Sequence, residues 1–310
     1  MVLPETAGDP MSEQKWVRSS LQQLSDKLKG IGHPACPKTI GRLLRKMDYS
    51  LKANVKRLAG SHHPDRSTQF EYIEAQQQIF LSMGWPIVSL DGKKKELIGN
   101  FKNAGHSWCL EAERVNDHDF ESASIGKAVP YGIYEVNHNR GYVYLGKSAD
   151  TAEFAVDMLS SWWREFGRHE FPAAPCLLAL CDCGGSNGYR SRLWKAQLQE
   201  KMADALGVEV MVCHYPTGAS KWNPIEHRLF GPISLNWAGK PLRTFETMLA
   251  YIRGTTTKTG LQVSAFLTEQ TYARGIKVAD EIMHRLNLTR HATCPNWNYT
   301  IHPRTAAVCI

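Results

Sequence analysis

The chain has 310 residues, 43% of them hydrophobic, and 37 Lys and Arg against 30 Asp and Glu give a formal net charge of +7. That length holds one large domain or a main domain with a small companion, and the hydrophobic fraction is enough for a real core. No apolar run approaches bilayer length, the amino terminus lacks the basic-then-apolar order of a signal peptide, and eight cysteines without a CxxC pair give no disulfide framework, so the expected location is cytoplasmic, at the nucleoid.

The basic excess is concentrated at one end. Residues 11–60 carry 11 Lys and Arg against 3 Asp and Glu, whereas the rest of the chain carries 26 against 27. Such a concentration predicts a polyanion-binding module joined to a near-neutral body. Residues 1–10 read as a disordered start. From Ser12 onward, Val17, Leu21, Leu24 and Leu28 recur at helical spacing, with Ser12 as the candidate cap, Lys15 at the box position, and Gly30 and Gly32 as the stop. A second helix runs from about Pro37 to Met47. Ile40, Leu43, Leu44 and Met47 form its apolar set, and Lys38, Thr39, Arg42, Arg45 and Lys46 fall largely on other faces. Two short helices around a Gly/Pro turn, the second basic on its outer side, read as a helix-turn-helix over 11–60 that binds double-stranded DNA through those five residues. The plainer alternative is a solvated amphipathic hairpin.

A connecting helix within 61–84, helical from about Arg66 to Met83, leads to a second domain over 85–304, with 305–310 as a tail. Strand Ile87–Leu90 comes first, and ELIGNF is a candidate second strand. Two runs rich in Tyr, Val and Ile around Asn137–Gly141 are the clearest local signal, a hairpin. TAEFAVDMLSSWWREFG then reads as a helix capped by Thr151 or Asp150, and LLALC as a buried strand. Residues 188–207 read as a helix, VEVMVC as a strand, and Asn223 begins another helix. Three strands with an antiparallel pair, then helix, strand, helix, strand, helix, is the order of an α/β ribonuclease-H-like core, a mixed sheet flanked by helices.

Three carboxylates fall where such a core presents them. Asp91 follows the first strand, Asp182 ends LLALC, and Glu226 lies in the first turn of the helix begun by Asn223. A carboxylate at the end of a buried strand demands a partner. Three acids from three elements can hold two divalent cations over a scissile phosphodiester. Each also has a plainer reading. Asp91–Gly92 is a common turn pair, and Asn223, Pro224 and Glu226 form a capping-box pattern that explains Glu226 without catalysis. Gly231–Pro232 is expected to kink or end that helix after Phe230. Lys93, Lys94 and Lys95 either steer the phosphate backbone or are solvated surface lysines, and Glu96 beside them is set aside. The Gly184–Gly188 loop does not match a nucleotide-binding fingerprint, and Cys181, Cys183, Cys213 and His214 match no standard zinc set.

DGKKKELIGNFKNAG, DCGGSNG, SKWNPIEHRLF, TTTKTGL and WNYTI, taken in order, resemble the Rhodopirellula-type DDE transposase family of bacterial insertion sequences. That family is a distant relative of the mariner-like transposases, whose third acid also follows an Asn-Pro. The resemblance runs from about Asp9 to Arg304. It implies Asp91, Asp182 and Glu226 as the catalytic, metal-binding triad, with Mg²⁺ or Mn²⁺ as cofactor, two ions in all, and Asp91 bridging both. The implied chemistry is strand cleavage at the element's ends by metal-activated water, followed by attack of the freed 3′-hydroxyl on target DNA. A homo-oligomer in the synaptic complex, and no membrane partner, is implied as well.

Two features depart from the family pattern. Members usually carry further DNA-binding sequence ahead of the helix-turn-helix, and TAAVCI after Arg304 does not look like family sequence. The further expectation is therefore a truncated copy. Its acids are intact, so it either retains cleavage or is a catalytically silent, transposase-derived DNA-binding protein. A different ribonuclease-H-like nuclease, such as a junction resolvase, is the third reading, and the basic N-terminal module argues against it.

Overall fold

The computed structural model describes Thr6–Gly8, Lys15–Val17 and residues 19–50, 63–107, 109–219 and 222–304. Ser12, the expected helix cap, and the 305–310 tail lie outside the described residues, as do Ser220 and Lys221 of the SKWNP motif. Contacts divide the chain into two compact units, Met1–Ala59 and Gly60–Ile310. No helix among the described residues is long and apolar enough to cross a membrane.

In the first unit, β1 (Thr6–Gly8) pairs antiparallel with β2 (Lys15–Val17), where the sequence suggested a disordered start and the beginning of a helix. Helix α1 is Leu21–Gly30 and its cap is Ser20. The Ser20 hydroxyl accepts from the Gln23 N–H at 3.2 Å, and Gln23 Oε1 accepts from the Ser20 N–H at 2.8 Å. This reciprocal pair satisfies two first-turn donors, which Ser12 with Lys15 at the box position has no acceptor to do. Helix α2 is Pro37–Lys46, reached through Gly32 at φ +82°. The helices pack closely, since a Cβ on Gly41 would stand 3.3 Å from Leu21. Leu24 and Ile40 are buried, but Leu43 and Met47, expected on the apolar face, are exposed. Lys38, Arg42, Arg45 and Lys46 are exposed, and Thr39 is half-buried.

The second unit opens with α3 (Arg66–Met83) and is organised by a nine-stranded sheet. Its strands are β3 (Ile87–Gly92), β4 (Glu96–Ile98), β5 (Gly126–Glu135), β6 (Arg140–Gly146), β7 (Cys176–Cys181), β8 (Glu209–His214), β9 (Gln262–Leu267), β10 (Leu288–Arg290) and β11 (Asn298–Ile301). The order is β10-β11-β8-β7-β3-β5-β6-β9, with β4 paired to β5. The central five, β6-β5-β3-β7-β8, are antiparallel across β6, β5 and β3 and parallel across β3, β7 and β8. That is the ribonuclease-H-like core. Strand β9 extends one edge, and β11 with β10 extends the other, additions that the sequence did not reveal.

Helix α4 (Ala152–Trp162) continues through a π-helical turn, Trp163–Gly167, into α5 (Arg168–Glu170). Helix α6 (Arg192–Gln197) continues through a second, Leu198–Asp204. A third, Glu226–Phe230, leads into α7 (Gly231–Asn236), followed by α8 (Phe245–Arg253) and the short α9 (Asp280–His284). The helix therefore does not stop at Phe230. Pro232 falls in the first turn of α7, where its missing N–H is not needed.

Strand alternation sorts the side chains into three layers. Val88 and Leu90 face Phe154, Trp162 and Trp194 from α4 and α6. Ile87, Leu178 and Leu180 face Ile73 and Phe80 from α3. On the β6 and β9 side, Leu145 and Ala265 pack with Ile233 and Met248 from α7 and α8. Two glycines let the Glu226-bearing turn lie directly on the sheet. A Cβ on Gly132 would come within 2.6 Å of the Phe230 ring and 2.9 Å of Ile225, and one on Gly141 would collide with Leu229.

Gly132→Ala should therefore push this turn off the sheet and destabilise the protein by about 1–3 kcal/mol, the usual range for overpacking. Gly30→Ala, which meets open space, should be neutral or stabilising. Urea midpoints of the two variants check the contrast.

Candidate active site

Asp91 and Asp182 are brought together by the parallel pairing of β3 and β7. The register sets Leu90 against Cys181, so the next residue of each strand emerges beside the other. Strand β3 runs on to Gly92, so Asp91 lies within the strand, opposite Gly132 of β5, and not after its end. Its Oδ1 accepts from the Gly92 N–H at 2.7 Å.

Glu226 joins them through a relay of buried hydrogen bonds. Ser89, two residues before Asp91 and on the same face, donates its hydroxyl proton to Asn223 Oδ1 and accepts from the Ile225 N–H at 3.1 Å. Asn223 Nδ2 then donates to Asp182 Oδ1 at 3.0 Å. The expected capping box is not formed. Asn223 spends its amide on the strand and on Asp182, and Ser89 caps the Ile225 N–H from across the sheet. A tertiary partner has replaced the local one.

The loop after Asp182 is fixed from two further directions. Asn187 Nδ2 donates to the Leu90 carbonyl at 3.0 Å, and His214 Nδ1 lies 2.9 Å from the Asp182 carbonyl. A carbonyl only accepts, so Nδ1 carries the proton and Nε2 faces the Tyr299 hydroxyl at 3.4 Å. That hydroxyl accepts from Trp194 Nε1 at 3.1 Å. Complete burial pulls the His214 pKa down to about 4, so the ring stays neutral and this bond persists at ordinary pH.

The acids form one electrostatic group. Burial, then the Asp182 carboxylate, pushes Asp91 up to about 8; the Gly92 N–H opposes this, and Glu226 and Asp150 add to it. Burial also raises Asp182, tempered by the Asn223 hydrogen bond and reinforced by Glu226. Asp150 was weighed in the sequence only as a helix cap. Thr151 fills that role, accepting from the Phe154 N–H at 3.2 Å, and Asp150 Oδ1 is buried without a hydrogen-bond partner. Ser89 and Asn187 were missed as well, and the sequence offered His214 only as a zinc ligand. A serine inside an apolar strand, two residues before an aspartate, was the one readable sign.

The lysines beside Asp91 part company. Lys94 and Lys95 are exposed. Lys93 is turned inward: its side chain is 11% exposed, and its Nζ lies 3.9 Å from Glu96 and 5.0 Å above the Trp237 ring. Burial lowers its pKa. It is not the solvent-facing cation that backbone steering requires.

Among the described residues, no three His, Cys, Asp or Glu side chains already converge on one ion. The donor set nonetheless fits a hard divalent cation. It offers the half-buried carboxylates of Asp91 and Asp182, both raised chiefly by burial, and Glu226 acting on each of them.

Two outcomes follow from this geometry. Asn223→Ala leaves Ser89 and Asp182 Oδ1 without their partner and should cost about 1–3 kcal/mol of stability, measured by urea unfolding. The folded pKa of Asp91 stands above its ordinary value of 3.8, so the folded state holds an extra proton between about pH 4 and pH 8. The metal-free protein should thus lose stability as pH rises through that window. Asp91→Asn should stabilise it at pH 8, by an amount that shrinks toward pH 4, as thermal midpoints across the range would record.

None of the curated proteins compared with the chain matches it. Solved structures similar to it include the Mos1 transposase paired-end complex with left transposon end, at 16% identity over 76% of this chain and 65% of that one, with a TM-score of 0.42. The Mos1 strand transfer complex is similar at 15% identity over 76% and 64%, with a TM-score of 0.44. The Mos1 mariner paired end complex with Mn is similar at 16% identity over 76% and 65%, with a TM-score of 0.45. The chain thus spans just under two thirds of the length of these Mos1 chains. The family model described as the Rhodopirellula transposase DDE domain matches residues 1–303. With nearly its whole length matched, the chain belongs to the Rhodopirellula transposase DDE domain family.

Proposed function

We propose that the chain is a DNA transposase of an insertion sequence, cutting phosphodiesters at the element's ends and joining the freed 3′-hydroxyl to target DNA. Asp91, Asp182 and Glu226 are its catalytic acids. The observation that carries this reading is the relay from Ser89 through Asn223 to Asp182, which ties the three acid-bearing segments into one charged group.

The three acids would hold two Mg²⁺ or Mn²⁺ ions, which, when bound, lower the pKa of the attacking water or hydroxyl and stabilise the leaving oxygen. Asp91 is coupled to both other acids and is suited to the shared position. Its raised pKa means it must release a proton to take up a cation. Asn223 and His214 hold Asp182 by its Oδ1 and its carbonyl, which keeps the other carboxylate oxygen available. Double-stranded DNA would be engaged by Lys38, Thr39, Arg42, Arg45 and Lys46 of α2 and by Lys94 and Lys95 near the acids, with Lys93 in a packing role. The acting form would be a homo-oligomer on paired element ends. The second reading, a silent DNA-binding relative, keeps the basic first unit and lacks the chemistry.

The test is Mg²⁺-dependent cleavage of duplex DNA carrying the element's own ends. Asp182→Asn should lose cleavage by at least about a hundredfold, the scale of removing one preorganised electrostatic group. Its DNA affinity should be retained and should fall steeply with added salt. Tight binding without cleavage by the parent would favour the silent relative.

A further inference from the structure

We propose that the cleft beside Asp182 seats a DNA phosphodiester that neighbours the reacting one, and that Arg190 is the side chain that holds it. The proposal rests on the catalytic reading above and assigns a substrate contact outside the triad and outside the basic first unit.

The residue after Asp182 is the first to line the cleft. Cys183, Gly184, Gly185, Tyr189 and Arg190 border it together with Thr217, from the segment after β8, around a volume of about 360 Å³. Ligand sites span about 300–1,000 Å³, so this one suits a single nucleotide unit rather than a whole duplex. Its walls are tied to three other elements. Asn187 Nδ2 donates to the Leu90 carbonyl of β3 at 3.0 Å, and Lys195 Nζ of α6 donates to the Tyr189 carbonyl at 2.5 Å. Arg66 Nη1 of α3 donates to the Thr217 carbonyl at 3.2 Å, and Cys183 Sγ donates to the Tyr215 carbonyl at 2.9 Å. The cleft is thus formed before anything enters it, which keeps the ordering cost of binding low.

The cations around the cleft differ in what they have left to give. Arg192 is paired with Asp280, and Lys195 lies against the Tyr189 carbonyl and the Tyr299 ring. Arg66 lies over the Phe70 and Trp222 rings in addition to its bond to Thr217. Arg190 is exposed, and among the described residues no carboxylate pairs with it. Its Nε donates to the Tyr189 hydroxyl at 2.8 Å, and its guanidinium lies 5.1 Å from the centre of that ring. A neutral group thus anchors Nε and leaves the charge and the two Nη groups to a ligand. Their planar fork matches the oxygens of a phosphate. Among the described residues none of the cleft's lining side chains is acidic, so nothing there competes for the cation. A strand whose phosphodiester is served by Asp182 passes beside that residue, and it carries a negative charge at every nucleotide. Arg190 supplies the opposite charge at the cleft such a strand must pass.

The experiment is binding of duplex DNA carrying the element's own ends to the full chain, as a function of salt, with Ca²⁺ in place of Mg²⁺. Arg190→Gln should weaken binding by about tenfold, the scale of a charge-assisted hydrogen bond, and lower the salt slope by about 0.9, the share of one phosphate contact. Arg190→Lys, a point charge without the fork, should keep the slope and lose part of the affinity. Gly184 has no left-handed backbone, and a Cβ there meets nothing within 4 Å, so Gly184→Leu should fill the cleft without disturbing the fold and match Arg190→Gln. Thermal midpoints at the parent's value separate loss of the contact from loss of the fold. In Mg²⁺, slower cleavage by Arg190→Gln assigns the phosphodiester to the element strand, and slower joining of pre-cut ends alone assigns it to target DNA. Unchanged slopes in Arg190→Gln and Gly184→Leu, or a lowered slope with cleavage and joining both at the parent's level, overturn the proposal. A lowered slope with cleavage that survives Asp182→Asn keeps the phosphate contact and overturns the catalytic reading instead.

Discussion

The placement of the Asp91, Asp182 and Glu226 segments depends on a hydrogen-bond relay no longer than two side chains. Ser89 and Asn223 are both buried, and each uses both its donor and its acceptor capacity on a different element of the structure. Because Ser89 and Asn223 are fully buried, the bonds between them and to the Ile225 N–H have no water as a ready substitute, so strand and helix are held in one arrangement rather than a family of them. Gly132 and Gly141 make the relay possible from the other side, by allowing the turn that carries Asn223 and Glu226 to reach the sheet at all.

In the same region, the hydrogen bonds to Asp91 and Asp182 among the described residues come from uncharged groups. Asp91 and Asp182 are held by neutral donors, the Gly92 N–H and the Asn223 amide. The nearest lysine in sequence, Lys93, lies 3.9 Å from Glu96 and over the Trp237 ring, and of the three acids it is Glu226 that acts on it. Neutral donors orient a carboxylate without neutralising it, which leaves the counter-charge to be supplied from solution. A lysine or arginine in their place would have made a more stable site and a poorer cation trap. The basic excess of the chain lies at the other end of the sequence, in residues 11–60, with four of its cations on helix α2.

Much of the fold was legible because it is periodic. The β5–β6 hairpin, the apolar run of β7 and the spacing of α3 and α4 follow from local pattern, and their order gave the ribonuclease-H-like core. The elements that were missed are those that local pattern cannot specify. β10 is three residues and β11 four, too short to show alternation, and they exist as strands because β8 offers an edge. The start of α1 was misplaced because hydrophobic spacing continued upstream of a better cap. At the site, the adjacency of Asp91 and Asp182 was legible from strand order, since both follow from the parallel pairing of β3 and β7. The use of Asn223 was not, because Asn-Pro-x-Glu is a sufficient local capping signal and only the tertiary position of Ser89 diverts it.

The register of the sheet also orders events in time. Asp91 and Asp182 become neighbours only when β7 docks on β3, and Glu226 joins them only after the turn beyond β8 has folded back over β5. Strand β11, which covers the outer side of β8, is the last part of the sheet to leave the ribosome. Contacts of such long sequence separation form slowly. In a nascent chain the basic first unit has therefore been made while the acids are still apart. Order of synthesis thus brings the acids together only after every residue of the basic first unit has already been made.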